Sequence, residues 1–280
     1  MSIDTLEPME ISPGEPAPRG AIHAISLPAR HNPKLQVLIG RINVDADLYA
    51  LWECANLNAV TRLGMSDHGP VHVRLIANIA LRLLRLLVAK GITHSIVKDH
   101  GLANEDAEVV VVLAALMHDL GMSIHRNDHE RYSLFVAQMK LRDLLPAAYP
   151  DPRTAAIVRS EVLHAIIAHR SDGTPLTLEA GVVRVADALD MAKGRSRIPF
   201  EAGVVNIHSL SATAIDKVTL APGETKPIRI SISMNNSAGV FQIDELLKEK
   251  LSGSGLEAYV EVEATIEGEA EKKLIQVFRL

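Results

Sequence analysis

The hydrophobic period of this chain changes once, near residue 200, and that change constrains the fold more than any other feature. Before Pro199, apolar residues recur at intervals of three and four, which predicts amphipathic helices. After it, apolar and polar residues alternate, as in Ile228, Ile230 and Ile232, which predicts half-buried strands. We therefore expect an α+β protein, in which an all-α helical bundle precedes a small α/β unit.

The same patterns divide the chain into three regions. Residues 1–33 carry six prolines and little apolar periodicity, which predicts a flexible or surface-draped arm. Residues 34–200 are predicted to be helical. Residues 201–280 are predicted to fold as strand-strand-helix-strand-strand, and an exposed strand edge there would favour a homodimer or a regulatory contact.

Two of the predicted helices are defined most clearly. One begins at Pro70 and ends at Gly91, and it places His72 on its buried face. The other begins near Asn104 and is apolar on all sides until it reaches His118 and Asp119, so it should be central. Three more helices are predicted at residues 128–145, 151–170 and 176–193.

Composition excludes several classes of protein. With 48% apolar residues and a net charge of -5, the chain is globular and lacks the basic character of nucleic-acid-binding proteins. Cys54 is the single cysteine, so no internal disulfide can form. Arginines interrupt the longest apolar stretch, and the first twenty residues do not resemble a signal or transit peptide. We expect a cytoplasmic protein with no membrane span.

Histidine is concentrated in one part of the chain: nine of the twelve lie between residues 68 and 169. Asp119 follows the most apolar helix, and no Lys or Arg occurs between residues 99 and 125. An unpaired buried carboxylate is costly, so a divalent cation is the simplest counter-charge, and Asp187 poses the same problem. Histidine and aspartate together suit Mn, Fe, Co, Ni or Zn, whereas a closed structural zinc site usually contains thiolates.

Three segments resemble the HD superfamily of metal-dependent phosphohydrolases. They are HVRLIANIA from residue 72, LAALMHDLG from residue 113 and VRVADALD from residue 183, in the order of that family. In its additional histidines, the chain is most similar to the HD-GYP-like branch of this superfamily. The chain departs from that branch at Met122, where a lysine is usual, at Arg170, where a second His is usual, and in the shortened loop SDGTP. These departures argue against specificity for cyclic-di-GMP.

The resemblance implies a set of metal ligands. His72, His118, Asp119 and Asp187 would bind two divalent ions, with Asp119 bridging them, and Asp190 is an alternative to Asp187. His68 stands one helical turn before His72, where that branch places an acidic ligand. Further ligands would come from His125, His129, His164 and His169, although on a straight helix His164 and His169 would point about 140° apart.

Charge counting then indicates the substrate. Two divalent ions and two aspartates leave a positive site, which suits an anionic phosphate ester such as a nucleotide, a cyclic nucleotide or a related monoester or diester. We expect a hydroxide bridging the metals to attack phosphorus, with Asp119, His125 and Lys193 as catalytic residues. His125 or His164 would protonate the leaving group. The candidate phosphate contacts are Arg126, Arg170, Lys193 and Arg197.

Two other functions fit the same motifs. Some proteins with the HD fold are di-iron oxygenases, which oxygen consumption and metal content would distinguish from a hydrolase. A non-catalytic module that senses a nucleotide is the second alternative. Outside the motifs, His94 and His100 flank a predicted loop, and we expect both to be solvated.

Overall fold

The structure of this chain is a computed structural model. It describes residues 7–12, 24–170, 172–191, 211, 213–267 and 277–279. The predicted boundary between the two units, at residues 200 and 201, lies outside the described residues. The α+β architecture is confirmed, because a helical region is followed by a small sheet with a helical segment.

Within its described residues, the first region contains eight α-helices, and the residues that cap them are those expected from the sequence. Asn32, Asp45 and Asp151 accept backbone N–H groups at the starts of α1, α2 and α7, which satisfies amides that would otherwise lack a partner. The helices are α1 (Pro33–Ile42), α2 (Ala46–Asn56), α3 (Pro70–Ala89), α4 (Ser95–His100), α5 (Asn104–Met117), α6 (His129–Leu144), α7 (Pro152–Ala168) and α8 (Leu178–Ala188).

Helix α5 lies at the centre of this bundle. Every residue from Asp106 to Met117 is buried, and α5 packs against α3, α7 and α8. The central position predicted from its uniformly apolar sequence is thus confirmed. Since α5 ends at Met117, the residues that follow it, His118 and Asp119, are held at the middle of the bundle.

In the described residues, the second region contributes four strands to a five-stranded sheet with the strand order β1-β2-β3-β4-β5, and β1 comes from the N-terminal segment. The strands are β1 (Met9–Ile11), β2 (Ile215–Pro222), β3 (Ile228–Met234), β4 (Val260–Ile266) and β5 (Val277–Arg279). Neighbouring strands are antiparallel except β3 and β4, which are parallel, with Ile230 opposite Val262. Their connection contains α9 (Gly239–Gln242), a π-helical segment (Ile243–Lys248) and α10 (Glu249–Leu251).

The predicted flexible arm is wrong for its described residues. Met9–Ile11 forms strand β1, which pairs with β2, and Ile11 and Ile25 are buried in the core. Isolated apolar residues between prolines carry no periodicity, so sequence patterns do not detect such anchors. Strand addition also needs only backbone hydrogen bonds along an open sheet edge. The homodimer expected through the sheet stays a prediction.

The sheet and its helical segment pack against α3 and α8. At Gly181 of α8, a Cβ atom would lie 2.0 Å from the carbonyl oxygen of Ser254, so only glycine permits this approach. Among the helices that the structure describes, none combines the length and the hydropathy that crossing a bilayer would require.

Candidate metal centre

Five helix ends bring histidine and aspartate side chains to one place. The residues come from the first turn of α3, the end of α5, the start of α6, the end of α7 and the last turn of α8. They are His72, His118 with Asp119, His129, His169 and Asp187, in that order. Asp187 is the most exposed, with 17% of its side chain accessible, whereas the others are buried.

Helix α6 is hydrogen-bonded to the turn that carries His118 and Asp119. The Ser133 hydroxyl donates to the His118 carbonyl at 2.6 Å and accepts from the Gly121 amide at 2.8 Å. A Cβ atom at Gly121 would lie 1.9 Å from the His129 carbonyl oxygen, so glycine is required for this contact. These contacts place His129 beside Asp119.

The first group of potential ligands joins α3, α5 and α8. The Nε2 atoms of His72 and His118 are 3.3 Å apart, and Asp187 Oδ1 lies 3.6 Å from the first and 3.7 Å from the second. The ligand atoms of these three residues all lie within 4.8 Å of one another, which allows them to share one ion.

Asp119 links this group to a second one. Its Oδ2 lies 3.4 Å from His72 Nε2 and 3.2 Å from His118 Nε2. Its Oδ1 faces the other way, 3.2 Å from His129 Nε2 and 4.0 Å from His169 Nε2. One carboxylate thus presents an oxygen to each group.

The hydrogen bonds of three imidazoles favour metal binding. The Nδ1 atoms of His72, His118 and His169 lie 2.6, 2.8 and 2.5 Å from acceptors. Those acceptors are the Asp190 carboxylate and the carbonyls of Ala115 and Ile166. Because an acceptor fixes the ring proton on Nδ1, each Nε2 presents a lone pair towards the cluster. Lone pairs that face one another in a buried site fit a cation, so the donor set suits a divalent metal.

The two aspartates also make the cluster favourable for positive charge. Burial alone would lower the pKa of His118, but Asp119 and Asp187 raise it to about 10. Burial would raise the pKa of Asp119, but His118, with hydrogen bonds from His129 and His72, holds it well below its usual range. Burial, together with the charges of His118 and Lys250, lowers the pKa of His169 well below its usual value. The cluster is therefore a strongly coupled set of buried charges.

Two other predicted ligands, His68 and His125, differ in where they lie. His68 is buried with its ring centroid 5.6 Å from that of His72, and its Nδ1 donates to the Ser66 carbonyl. His125 is exposed and its Nδ1 accepts from the Asn127 amide, because α6 begins only at His129. Among the described residues, none of the three-residue ligand groups includes either histidine.

The structure does not support His164 as a ligand. Its Nε2 accepts the Leu176 amide at 3.0 Å, so this nitrogen is occupied outside the cluster. The cause is helical geometry, since five residues of α7 rotate His164 away from His169.

Of the four predicted phosphate contacts, the two that the structure describes have different partners. Arg126 Nη1 lies 2.8 Å from His129 Nδ1, at the exposed edge of the cluster. The guanidinium of Arg170 pairs instead with Asp172 at 2.9 Å. Lys193 and Arg197 lie outside the described residues.

Sequence reasoning missed Glu130 and Lys250. Glu130 forms a ligand group with His129 and His169, and it is the residue that follows a predicted ligand. Lys250 Nζ lies 3.4 Å from Asp187 Oδ2 although it belongs to the second region, and no local sequence signal connects the two.

The central helix of this bundle ends in an adjacent His and Asp, and four other helices add His and Asp side chains to them. This arrangement is typical of a class of metal-binding proteins. The HD domain family model matches residues 71–192. The chain is 44% identical over 215 residues to the uncharacterized protein MJ1020 of Methanocaldococcus jannaschii, covering 77% of this chain and 83% of the relative. No solved structure matches. The chain belongs to the HD domain family.

Proposed function

We propose that this protein is a metal-dependent phosphohydrolase that hydrolyses a phosphate ester of a small molecule, such as a nucleotide or a cyclic nucleotide. The observation that supports this most directly is the two-sided carboxylate of Asp119. Each of its oxygens faces a separate pair of imidazole nitrogens, in a family whose members are typically metal-dependent hydrolases.

We assign the ligand atoms to two candidate sites that share Asp119. His72, His118 and Asp187 would hold one ion, and His129 and His169 the other. Divalent metals bound at such sites activate water at neutral pH and stabilise negative charge on phosphoryl oxygens.

The protein's own groups set the geometry for this chemistry. The Asp190 carboxylate fixes the orientation of the His72 ring through a bond of 2.6 Å. The Asp187 carboxylate, the most accessible of the set, marks the side from which a substrate would enter. At the exposed edge, Arg126 is available to meet an anionic substrate.

The experiment compares the wild type with Asp119→Asn and with Asp143→Asn, an exposed carboxylate on α6 as a matched control. Metal content is measured by mass spectrometry after loading with Mn²⁺, and hydrolysis with a panel of phosphomonoesters and phosphodiesters. We expect two ions per wild-type chain. Asp119→Asn should lose metal and reduce hydrolysis by at least about 100-fold, while Asp143→Asn should change neither.

Two outcomes would contradict the proposal. Hydrolysis retained by Asp119→Asn would remove the assigned role of the bridging carboxylate. Oxygen consumption by the iron-loaded protein, without phosphate release from any ester, would favour the oxygenase alternative instead.

A further inference from the structure

Lys250 reaches the metal centre from the second region of the chain. It lies in α10, and 12% of its side chain is accessible. Its Nζ donates to Asp187 Oδ2 at 3.4 Å and to the carbonyl of His169. An ammonium that is largely removed from solvent needs acceptors of this kind, because an unpaired buried charge is costly.

The contact with Asp187 places the ammonium close to the ligand atoms without competing for them. Oδ1 of Asp187 faces the Nε2 atoms of His72 and His118, while Oδ2 faces Lys250. The ammonium is therefore separated from the imidazole nitrogens by a single carboxylate. Lysine has three N–H donors, and its contacts with described residues use two of them.

A buried arginine holds Lys250 in this position. Arg184 of α8 is 3% exposed and donates to the backbone carbonyls of Lys250, at 2.9 Å, and Glu249, at 3.2 Å. It also donates to the carbonyls of Arg170, at 2.9 Å, and Gly173, on the segment that follows His169. One guanidinium thus joins α10 to the end of α7, so the main chain that carries Lys250 is fixed relative to the cluster.

The other candidate positions for a cation near the metal centre differ from that of Lys250. Met122, at the position where the sequence departs from a lysine, is fully buried against Ala55 and Ala59. Arg170 is paired with Asp172. Among the described cations, Arg126 contacts His129 and Lys250 contacts Asp187.

We infer that Lys250 is a substrate-binding residue of the metal centre, whose ammonium donates to a phosphoryl oxygen of the substrate. This inference rests on the proposed function. Lysine binds phosphate as a compact point charge, which suits a position beside a carboxylate already facing the ions. The second region then completes the site instead of being a separate regulatory unit.

The experiment uses the full chain loaded with Mn²⁺ and compares Lys250→Met with Lys248→Met. Lys248 lies two residues away, is exposed, and pairs with Asp244 at 2.7 Å, so it controls for loss of a charge from the same helical segment. Calorimetry measures the binding of inorganic phosphate, and mass spectrometry measures metal content. KM and kcat are added for any ester that the wild type hydrolyses.

We expect Lys250→Met to retain its metal and to bind phosphate about 10- to 100-fold more weakly, because it loses a charged hydrogen bond. For any ester that the wild type hydrolyses, the KM of Lys250→Met should rise by a similar factor. Lys250→Arg should recover part of the affinity, which also separates a binding role from a failure to fold. Lys248→Met should bind phosphate as the wild type does.

Three results would overturn the inference. The first is that Lys250→Met binds phosphate with wild-type affinity, and the second is that Lys250→Met loses both its metal and its phosphate binding. The third is that the metal-loaded wild type does not bind phosphate. Hydrolysis that is unchanged in Lys250→Met would overturn the role of Lys250 and leave the proposed function intact. Phosphate binding that depends on Lys250, in a wild type that hydrolyses no ester, would support the inference while contradicting the proposed function.

Discussion

At the scale of single residues, Asp190 shows how two nearby carboxylates take different positions. The sequence admits Asp190 as an alternative ligand to Asp187. In the structure, Asp187 faces the Nε2 atom of His72, while Asp190 accepts from Nδ1 on the opposite side of the same ring, at 2.6 Å. Asp190 is therefore a positioning residue, which orients an imidazole and increases its basicity.

Asp190→Asn tests this assignment. The amide can still accept a hydrogen bond from His72 but carries no charge, so we expect Mn²⁺ affinity to fall by about 10- to 100-fold with little change in the far-UV circular dichroism spectrum. Titration calorimetry with Mn²⁺ measures the effect, and Asp143→Asn serves again as the exposed control. Equal affinities for Asp190→Asn and the wild type would show that the carboxylate does not support the ligand.

Individual ligand positions could be predicted from sequence where burial and motif agreed. His72, His118, Asp119 and Asp187 converge, because each stands on or directly after a strongly apolar helix. The expectation failed for His94, which is fully buried although it flanks a loop. Histidine spacing alone does not specify on which side of a helix a ring points or where the helix begins.

At the scale of elements, Glu108 explains how the N-terminal segment is attached to the bundle. It is a buried acid within the otherwise apolar α5, and Arg85 Nε of α3 donates to it at 2.7 Å. Asn32 donates to it at 2.9 Å, and His31 lies at 3.1 Å. Burial alone would raise the pKa of Glu108, but the hydrogen bonds from Arg85, Asn32 and His31 lower it.

This shift predicts a pH-dependent contribution to stability. Since the folded pKa lies below the ordinary value of 4.5, the carboxylate stabilises the fold above that value, and the contribution is lost as the pH falls through the folded pKa. We expect Glu108→Gln to lower the free energy of unfolding by about 1.5 to 3 kcal/mol at neutral pH. The difference from the wild type should shrink at about pH 4.

Urea denaturation at both pH values measures the effect of Glu108→Gln. Glu105→Gln, an exposed acid in the first turn of the same helix, is the control and should change stability little at either pH. A difference between Glu108→Gln and the wild type that is the same at both pH values would show that the ionised carboxylate is not the stabilising group.

At the scale of the whole molecule, the change of hydrophobic period predicts two units but not how they meet. The contacts that join them involve Gly181, Arg184 and Lys250, and the partners of these residues across the boundary are distant in sequence. Local periodicity reports which face of an element is buried, and it carries no information on which distant segment covers that face. The extension of the metal centre by Lys250 could therefore be found only in three dimensions.

Gly181→Ala tests whether the second region is seated on α8 as the structure shows. The added Cβ atom would lie 2.0 Å from the backbone oxygen of Ser254, which no side-chain rotation can relieve. We expect a loss of at least about 1 to 3 kcal/mol in the free energy of unfolding. Because the strain falls just after α10, phosphate binding that depends on Lys250 should weaken as well.

Gly40→Ala provides the matched control, since Gly40 also lies within a helix and a Cβ atom there would meet nothing within 4 Å. That substitution should stabilise the protein by about 0.5 to 1 kcal/mol, as expected for alanine replacing glycine in a helix. Thermal denaturation of both variants gives the comparison. If Gly181→Ala proved as stable as Gly40→Ala, α8 and the segment at Ser254 could not lie in contact, and the position assigned to Lys250 would lose its support.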